Sequence, residues 1–172
     1  SYKIFAANGI LFNHESPLRG ETFVTKKVVK ALCNIKHNKQ KKLFVGNLYS
    51  KRDWGHAQDY VKAMWKILQH KQPDDFVICT GKQYTIKQFI NLVAQELNMK
   101  IKWKGKGIKE KAYNEKNRCI IECKRKYLRL TEVDTLKGNF SKAKKLLKWK
   151  PENDIKSLIK DMVNYELNSI LR

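Results

Sequence analysis

Residues 4–12 read IFAANGILF, and the polar stretch 13–20, NHESPLRG, follows them directly. A short apolar run that ends in a polar loop is typical of a buried strand, here with an irregularity at Asn8-Gly9. Polar residues at the carboxyl end of a parallel strand lie where α/β proteins bind their ligands. This stretch therefore predicts a parallel sheet, followed by a loop at the edge of a binding site.

Strands and amphipathic helices alternate along the rest of the chain, which predicts the α/β class. The apolar spacing predicts parallel strands near residues 6–12, 43–45 and 76–79 and helices near residues 22–36, 56–70, 85–97 and 155–170. A short helix is expected from Ser141 to Leu147, and small strands at 101–103 and 119–121. We find no repeat and no internal boundary, so residues 1–172 are predicted to form one unit.

Local details refine this prediction. Thr85 and Gln88 form a capping box, and His56, Ser141 and Asp154 are expected to cap other helices. One apolar stripe on the second helix is expected to comprise Ala57, Tyr60, Val61, Met64, Trp65 and Leu68. The segment 105–117 is rich in Lys and Gly, and we predict that it is a mobile surface loop.

The formal net charge of +21 is large for 172 residues. Such a charge is typical of proteins that bind nucleic acid or another anionic surface. The 37 basic residues, however, are 31 Lys and 6 Arg, spread over nearly every segment, whereas base readout favours Arg for its bidentate fork. The pattern favours solvated Lys-rich faces and argues against nucleic acid as a partner. A positive field would still assist a polyanionic small molecule.

The cysteines indicate a reducing compartment. Cys33 and Cys79 fall in apolar segments, and Cys119 and Cys123 form a lone Cys-x-x-x-Cys with no matching His or Cys pair nearby. We expect reduced thiols in a cytoplasmic protein and no metal site. No apolar run approaches the roughly 20 residues of a membrane helix, so no membrane contact is expected. The strand-like start at Ser1 resembles the interior of a longer chain.

General motifs of catalysis are missing from the sequence. It has no glycine-rich turn after its first strand, no P-loop, no Gly-x-Ser-x-Gly elbow and no His-Glu-x-x-His helix. What remains is a set of polar side chains in loops after strands, namely Asn13, His14, Arg19, Arg52, Arg129 and Glu132. Converging Arg and Asn side chains would suit a pyrophosphate, and a Glu would accept from ribose hydroxyls. Such residues are also ordinary in solvated loops.

Several segments resemble the GDP-mannose 4,6-dehydratases, a branch of the extended short-chain dehydrogenase/reductase superfamily. In the family's order they are NGILFNHESP (8–17), RGETFVT (19–25), RDWGHA (52–57), DYV (59–61), DFVI (75–78), TG (80–81), TEVDTL (131–136) and WKPE (149–152). The segments lie between residue 8 and residue 152, so the resemblance covers most of the chain.

The resemblance implies a fold and an activity. The family joins a Rossmann domain that carries NADP to a smaller C-terminal lobe that holds the nucleotide sugar. Its members oxidise C4 of GDP-mannose, eliminate water across C5 and C6, and return the hydride to C6. The product, GDP-4-keto-6-deoxymannose, leads to GDP-fucose and related deoxy sugars. The full-length enzymes form dimers or tetramers.

In this family the glycine-rich loop, the catalytic Thr and Glu, and the Tyr-x-x-x-Lys motif lie upstream of the matching region. The chain is therefore expected to be the C-terminal part of a Rossmann-type parallel sheet plus the smaller substrate-binding lobe. The N-terminal Rossmann half would be absent, and the chain would supply no catalytic residue. We expect it to be inactive alone.

The resemblance also assigns ligand contacts, residue by residue. Around the GDP moiety it places Asn13, Lys27, Arg52 and Arg129, with Glu132 on the ribose and Val24 against the guanosine. It places His14 and Arg19 near NADP.

The sequence departs from the family pattern in places. Leu18 stands where the family has the first Arg of Pro-Arg-Arg-Gly, which bears on cofactor or subunit contacts, and Lys26 stands for Arg. Leu130 replaces the Pro of Arg-Tyr-Phe-Arg-Pro, which raises the entropy cost of presenting Arg129. Two alternatives stay open: a dehydratase or epimerase of another nucleotide sugar, and a basic nucleic-acid-binding module.

Overall fold

A computed structural model describes residues 2–128, 131 and 133–171 of the chain. The described part is an α/β structure, as the sequence predicts. Its helices are α1 (Val24–Lys36), α2 (Ala57–Leu68), α3 (Ile86–Glu96), α4 (Ser141–Leu146) and α5 (Ile155–Leu171). Its strands are β1 (Gly9–Leu11), β2 (Asn13–Glu15), β3 (Leu43–Val45), β4 (Lys51–Arg52), β5 (Trp54–His56), β6 (Phe76–Ile78), β7 (Tyr84–Thr85), β8 (Lys102–Lys104), β9 (Lys111–Tyr113) and β10 (Cys119–Cys123).

These strands form several small sheets. β1 pairs in parallel with β6, and β2 pairs in parallel with β5. β4 and β7 form an antiparallel pair. The largest sheet has the order β3-β10-β9-β8, in which β3 is parallel to β10 and the other pairs are antiparallel. The three strands predicted to be parallel are therefore parallel, but β3 lies in a different sheet from β1 and β6.

The first strand is shorter and less buried than the sequence predicts. Only residues 9–11 form β1, and Ile4 and Ile10 expose 74% and 52% of their surface. Within the described residues, β1 has a neighbour on one edge only, so the apolar side chains of this segment lack a second packing partner. Residues 13–15, expected to lie in a loop, instead form β2.

The prediction of a mobile loop over residues 105–117 is wrong. Strand β9 lies inside this segment and forms an antiparallel hairpin with β8, which precedes it, and a short 3₁₀ turn at Gly107–Lys109 connects the two strands. Trp103 lies opposite the buried Ala112 on the face that packs inward, and Tyr113 lies opposite Lys102 on the other face, which is the pattern of a two-faced strand pair. The high Lys content obscures that pattern in the sequence.

Most of the predicted helix caps are confirmed. The Thr85 hydroxyl accepts a hydrogen bond from the Gln88 N–H, and Gln88 bonds back to the Thr85 N–H. His56 caps α2 by accepting from Gln58 N at 3.2 Å. Asp154 accepts from Ser157 N at 2.8 Å. The Ser141 cap is wrong, because α4 has Phe140 at its N-cap position and no side-chain cap.

Two apolar clusters hold the chain together. The larger one joins α1, α3 and α5 to β3 and β10, and Trp54 packs into it against Phe89. The smaller one covers β1 and β6 with α2 on one side and α4 on the other, around Tyr60 and Trp149. Trp54 of β5 belongs to the first cluster and Tyr60 of α2 to the second, so the chain passes from one cluster to the other between them.

The Asp53 carboxylate links β5 to the end of β6. It is 1% exposed and accepts hydrogen bonds from the Thr80 N–H (2.9 Å), the Thr80 hydroxyl (2.5 Å) and the Gly81 N–H (2.8 Å). A buried acid is stable when backbone N–H groups satisfy its oxygens. Asp53 thereby fixes the positions of β4, which ends before it, and β5, which begins after it.

The predicted stripe on α2 divides into two faces. Tyr60, Ala63 and Ile67 are buried against β1 and β6. Val61, Met64, Trp65 and Leu68, at the spacing of one helix face, are instead 40–64% exposed. An apolar row at this spacing on a surface helix usually marks a contact surface.

We predict that this exposed face makes the isolated chain prone to aggregation and gives it a poorly cooperative thermal transition. Changing Trp65 and Leu68 together to Gln should reduce light scattering on heating and leave the unfolding midpoint nearly unchanged, because both side chains face solvent. The matched control Ile67→Gln, on the buried face, should cost roughly 2–4 kcal/mol. A sharp, reversible melt of a monomeric wild-type chain would contradict the expectation.

Candidate functional site

A cavity of about 440 Å³ lies between α1, the end of β3, strands β4 and β5, and the turn that follows β10. It is lined by Asn13, Glu15, Thr22, Phe23, Val24, Lys27, Val45, Gly46, Asn47, Arg52, Trp54, Ile86, Lys126, Tyr127 and Leu128. The set combines three cations with an apolar wall. Four residues that the sequence assigned to GDP, Asn13, Val24, Lys27 and Arg52, are brought together in it.

Strand pairing places the polar side chains of one wall. Asn13 of β2 lies directly opposite Trp54 of β5 in the parallel ladder. Arg52 of β4 lies opposite Tyr84 of β7. Because Arg52 and Trp54 flank the buried Asp53, the carboxylate that anchors β5 also sets the position of Arg52.

The guanidinium of Arg52 is held by backbone oxygens. Its Nη1 donates to the Lys51 carbonyl at 2.8 Å and to the Val133 carbonyl at 2.5 Å. These bonds connect β4 to residues 133–135, which also pair with Lys51 through backbone hydrogen bonds and a bridge to Thr135. Arg52 is therefore oriented by two separate segments of the chain.

Two adjacent lysines of α1 have different surroundings. Lys26 is buried, forms an ion pair with Glu166 of α5 and donates to the Pro17 carbonyl at 2.6 Å. Lys27 lines the cavity, and burial lowers its pKa. Among the described residues, no carboxylate forms an ion pair with Lys27. The helix thus uses one lysine for packing and presents the next one to the cavity.

The acid of this cavity is already engaged. Glu15 is 2% exposed, accepts a hydrogen bond from the Thr25 hydroxyl at 2.6 Å, and has the Nε of Arg19 3.2 Å away. Burial raises the pKa of Glu15, and these two partners partly offset that effect. Glu15 therefore serves the local structure, and among the described lining residues the cations outnumber the acids.

The two residues assigned to NADP lie outside the lining of this cavity. The ring of His14 stacks on Tyr60 with centroids 4.8 Å apart, and its Nδ1 is 2.9 Å from the Phe12 carbonyl oxygen. The guanidinium carbon of Arg19 lies 3.4 Å from the centre of the Phe23 ring. Both residues follow the carboxyl end of β1.

The turn after β10 closes the cavity. Residues Arg125–Tyr127 form a 3₁₀ turn, and the Lys124 N–H donates to the Val45 carbonyl at 2.8 Å. A Cβ built on Gly46 would overlap the carbonyl oxygen of Tyr127. Glycine at position 46 is therefore what allows this turn to lie against the end of β3.

Some residues of the cavity were not predicted from the sequence. Phe23, Trp54, Lys126 and Tyr127 line it although no ligand contact was assigned to them. Their only sequence signal is proximity to assigned positions, because the contacts join segments that are distant in the chain. The assigned Arg129 and Glu132 lie outside the described residues.

Three further properties concern metals, thiols and membranes. Within residues 2–128, 131 and 133–171, no three His, Cys, Asp or Glu side chains gather as a metal site would require. The four cysteines are free, and burial raises the pKa of Cys33 to about 12 and that of Cys79 to about 11. None of the described helices has the length and apolar character needed to cross a bilayer.

Known proteins resemble this chain over nearly all of its length. A family model described as GDP-mannose 4,6 dehydratase matches residues 1–162. The chain belongs to the GDP-mannose 4,6-dehydratase family. GDP-mannose 4,6 dehydratase 2 of Caenorhabditis elegans is 49% identical over 163 residues, which are 95% of this chain and 43% of that protein. The Dictyostelium discoideum GDP-mannose 4,6 dehydratase is 46% identical over 171 residues, 99% of this chain and 48% of that protein.

This member of the family spans about half the length of the curated relatives it matches. Solved structures show the same fold. RMD from Pseudomonas aeruginosa, complexed with NADPH, superposes with a TM-score of 0.76 at 21% identity and covers 94% of this chain and 48% of that one. A UDP-N-acetylglucosamine 4-epimerase from Methanobrevibacter ruminantium gives 0.74 at 16% identity, over 98% and 48%. The chain thus shares the fold of about half of each of these two structures.

We predict that Gly46→Ala will displace the turn at 125–127 from the end of β3. The overlap is with backbone atoms, which cannot rotate away as a side chain would, so the cost should be about 1–3 kcal/mol. Chemical denaturation would measure it. Gly20→Ala is a suitable control, because a Cβ there meets only the Phe23 ring at 3.5 Å. Equal stability of the two variants would contradict the role of Gly46.

Proposed function

We propose that this chain supplies the nucleotide-sugar-binding part of a GDP-mannose 4,6-dehydratase, which converts GDP-mannose to GDP-4-keto-6-deoxymannose. The observation that carries the proposal is the cavity in which Lys27, Arg52 and Lys126 meet Asn13 and an apolar wall. Relatives at 46–49% identity carry this name. The product is a precursor of GDP-fucose and other deoxy sugars.

The chemistry of the cavity suits a nucleoside diphosphate. A diphosphate needs cations and N–H donors at fixed positions, and Arg is the side chain that best matches its oxygens. Lys27 and Lys126 add positive charge, and the Asn13 amide is a further donor. Val24, Phe23 and Ile86 offer apolar surface for a base or ribose. Arg129 and Glu132 are proposed to complete the site at the diphosphate and the ribose.

We also propose NADP as the cofactor of the complete enzyme, with His14 and Arg19 as its contacts in this chain. When bound, the cofactor would supply reversible hydride transfer to and from the sugar. Because the Phe12 carbonyl can only accept, the Nδ1 of His14 donates in this contact, which fixes the orientation of the ring. The ion pair with Glu15 orients Arg19 beside the same loop. These residues suit a polar cofactor group at the carboxyl end of β1.

We propose that the remaining parts of the enzyme correspond to the part of the relatives that this chain does not cover. The 172 residues contain neither a Tyr-x-x-x-Lys sequence nor a glycine-rich turn after a first strand. Proton transfer needs a positioned group beside the sugar. Among the described residues, β1 pairs on one edge only, and the outer face of α2 is apolar and exposed. Both features suit contact with a further Rossmann half. We propose a cytoplasmic dimer or tetramer for the complete enzyme.

The proposal predicts that the chain alone will not dehydrate GDP-mannose. Activity should appear when the chain is fused to, or mixed with, the N-terminal half of the C. elegans relative, because that half would bring the proton-transfer groups and the rest of the cofactor site. Mass spectrometry would detect product by the loss of one water. Formation of 4-keto-6-deoxy product from GDP-mannose and NADP by the chain alone would refute this prediction.

We predict that Arg52→Ala, introduced into the fused enzyme, will chiefly weaken binding of GDP-mannose. A charge-assisted pair with the diphosphate is worth roughly 1.5–3 kcal/mol when it is desolvated, so KM should rise about 10- to 150-fold. Arg118→Ala is the matched control, because Arg118 is exposed and does not line the cavity. An unchanged affinity in the Arg52 variant would count against the assignment.

A further inference from the structure

The Tyr127 ring lies beside two ammonium groups at the edge of the cavity. The Nζ of Lys27 is 3.9 Å from the ring centroid, and the Nζ of Lys126 is 5.0 Å from it. The ring is 40% exposed and belongs to neither apolar cluster. Its main contacts with charged groups are therefore with these two lysines.

No acid in the described part of the chain compensates this pair of cations. The described ion pairs include neither Lys27 nor Lys126, and Glu15 is taken up by Thr25 and Arg19. Lys26 differs in this respect, because Glu166 neutralises it. Two like charges beside one ring repel each other, and Lys126 contributes to lowering the pKa of Lys27 after burial does. Such an arrangement is suited to an anion from outside the chain.

The position of the ring is set by backbone contacts. The Tyr127 N–H donates to the Lys124 carbonyl at 3.0 Å, and Lys124 is bonded to Val45 of β3. Gly46 leaves room for the Tyr127 carbonyl, so the turn lies directly against the end of the strand. Lys27 reaches the ring from α1. The contact therefore joins three segments that are far apart in the sequence.

We infer that Tyr127 is a positioning residue for nucleotide binding, whose ring holds the Lys27 ammonium at the cavity wall where the diphosphate of a nucleoside diphosphate sugar binds. The inference rests on the proposed function and adds a residue to it. Tyr127 acts through Lys27 and needs no contact of its own with the ligand.

The physical advantage is preorganisation. A lysine side chain loses much rotamer freedom when a ligand fixes it, and a cation–π contact made beforehand removes part of that cost from binding. The π face also favours the charged form of the ammonium, which opposes the effect of burial on Lys27. The contact is measured to the centre of the ring, and phenylalanine would keep that ring, so we expect it to serve as well as tyrosine.

The first test measures GDP and guanosine affinity by calorimetry in the full chain carrying Trp65→Gln and Leu68→Gln, which lie outside the cavity. Tyr127→Leu should weaken GDP binding about three- to fivefold, the range expected of one exposed cation–π contact. Tyr127→Phe should bind GDP as the parent does. Guanosine affinity should be the same in all three proteins, because guanosine lacks the diphosphate.

The second test is a double-mutant cycle with Lys27→Met. If the ring acts through Lys27, Tyr127→Leu should have no further effect on GDP affinity in the Lys27→Met background. Tyr113→Leu is the matched control, because it removes a ring 5.1 Å from the Lys104 ammonium on the β8–β9 hairpin. It should leave GDP affinity unchanged.

Each outcome separates this inference from the proposed function. GDP binding by the parent chain with an unchanged affinity in Tyr127→Leu would overturn the inference alone. A Tyr127→Phe variant that binds GDP as weakly as Tyr127→Leu would also overturn the inference alone. So would a Tyr127→Leu change that weakens GDP binding as much in the Lys27→Met background as in the parent. A parent chain that does not bind GDP would overturn the proposed function, and this inference with it.

Discussion

The buried carboxylate of Asp53 organises the region around the cavity. Its oxygens accept from Thr80 and Gly81 at the end of β6, and one lies 3.4 Å from the Gly138 N–H. Asp53 stands between Arg52, which faces the cavity, and Trp54, which packs into the larger apolar cluster. One side chain thus connects the end of β6 to a core residue and to a residue that lines the cavity. A buried acid of this kind is costly unless all of its oxygens are satisfied.

A second buried acid, Asp59, anchors the chain after β5. Asp59 of α2 is fully buried, and its carboxylate accepts from the backbone N–H groups of Glu152 and Asn153, while its carbonyl accepts from the Trp149 indole. These bonds attach the segment before α5 to α2 and so connect the two apolar clusters. The polar groups of the Arg-Asp-Trp and Asp-Tyr-Val segments therefore have structural roles beside any contact with a ligand.

In the structure, the positions of individual lysines are more informative than the net charge of the chain. Most lysines lie on exposed faces, as their even spread in the sequence suggests, and several pair with surface carboxylates such as Glu122 and Asp74. Exposed pairs of this kind add little stability. Lys27 and Lys126 differ because they share an aromatic ring at a cavity whose one described acid is already engaged. Their placement, more than the net charge of +21, favours an anionic ligand.

The sequence by itself determined the alternation of strands and helices, the bounds of the long helices, the caps at Thr85 and Asp154, and the family, because these follow from local periodicity and local motifs. Local patterns do not show which face of a helix is covered. Only the tertiary structure showed that Ile67 of α2 is buried and Trp65 is exposed. It also decided that the Lys-rich segment 105–117 contains the second strand of a hairpin, because strand pairing depends on neighbours outside the segment. The contact between Lys27, Gly46 and Tyr127 belongs to the same class: it joins residues up to 100 positions apart, and no spacing along the chain encodes it.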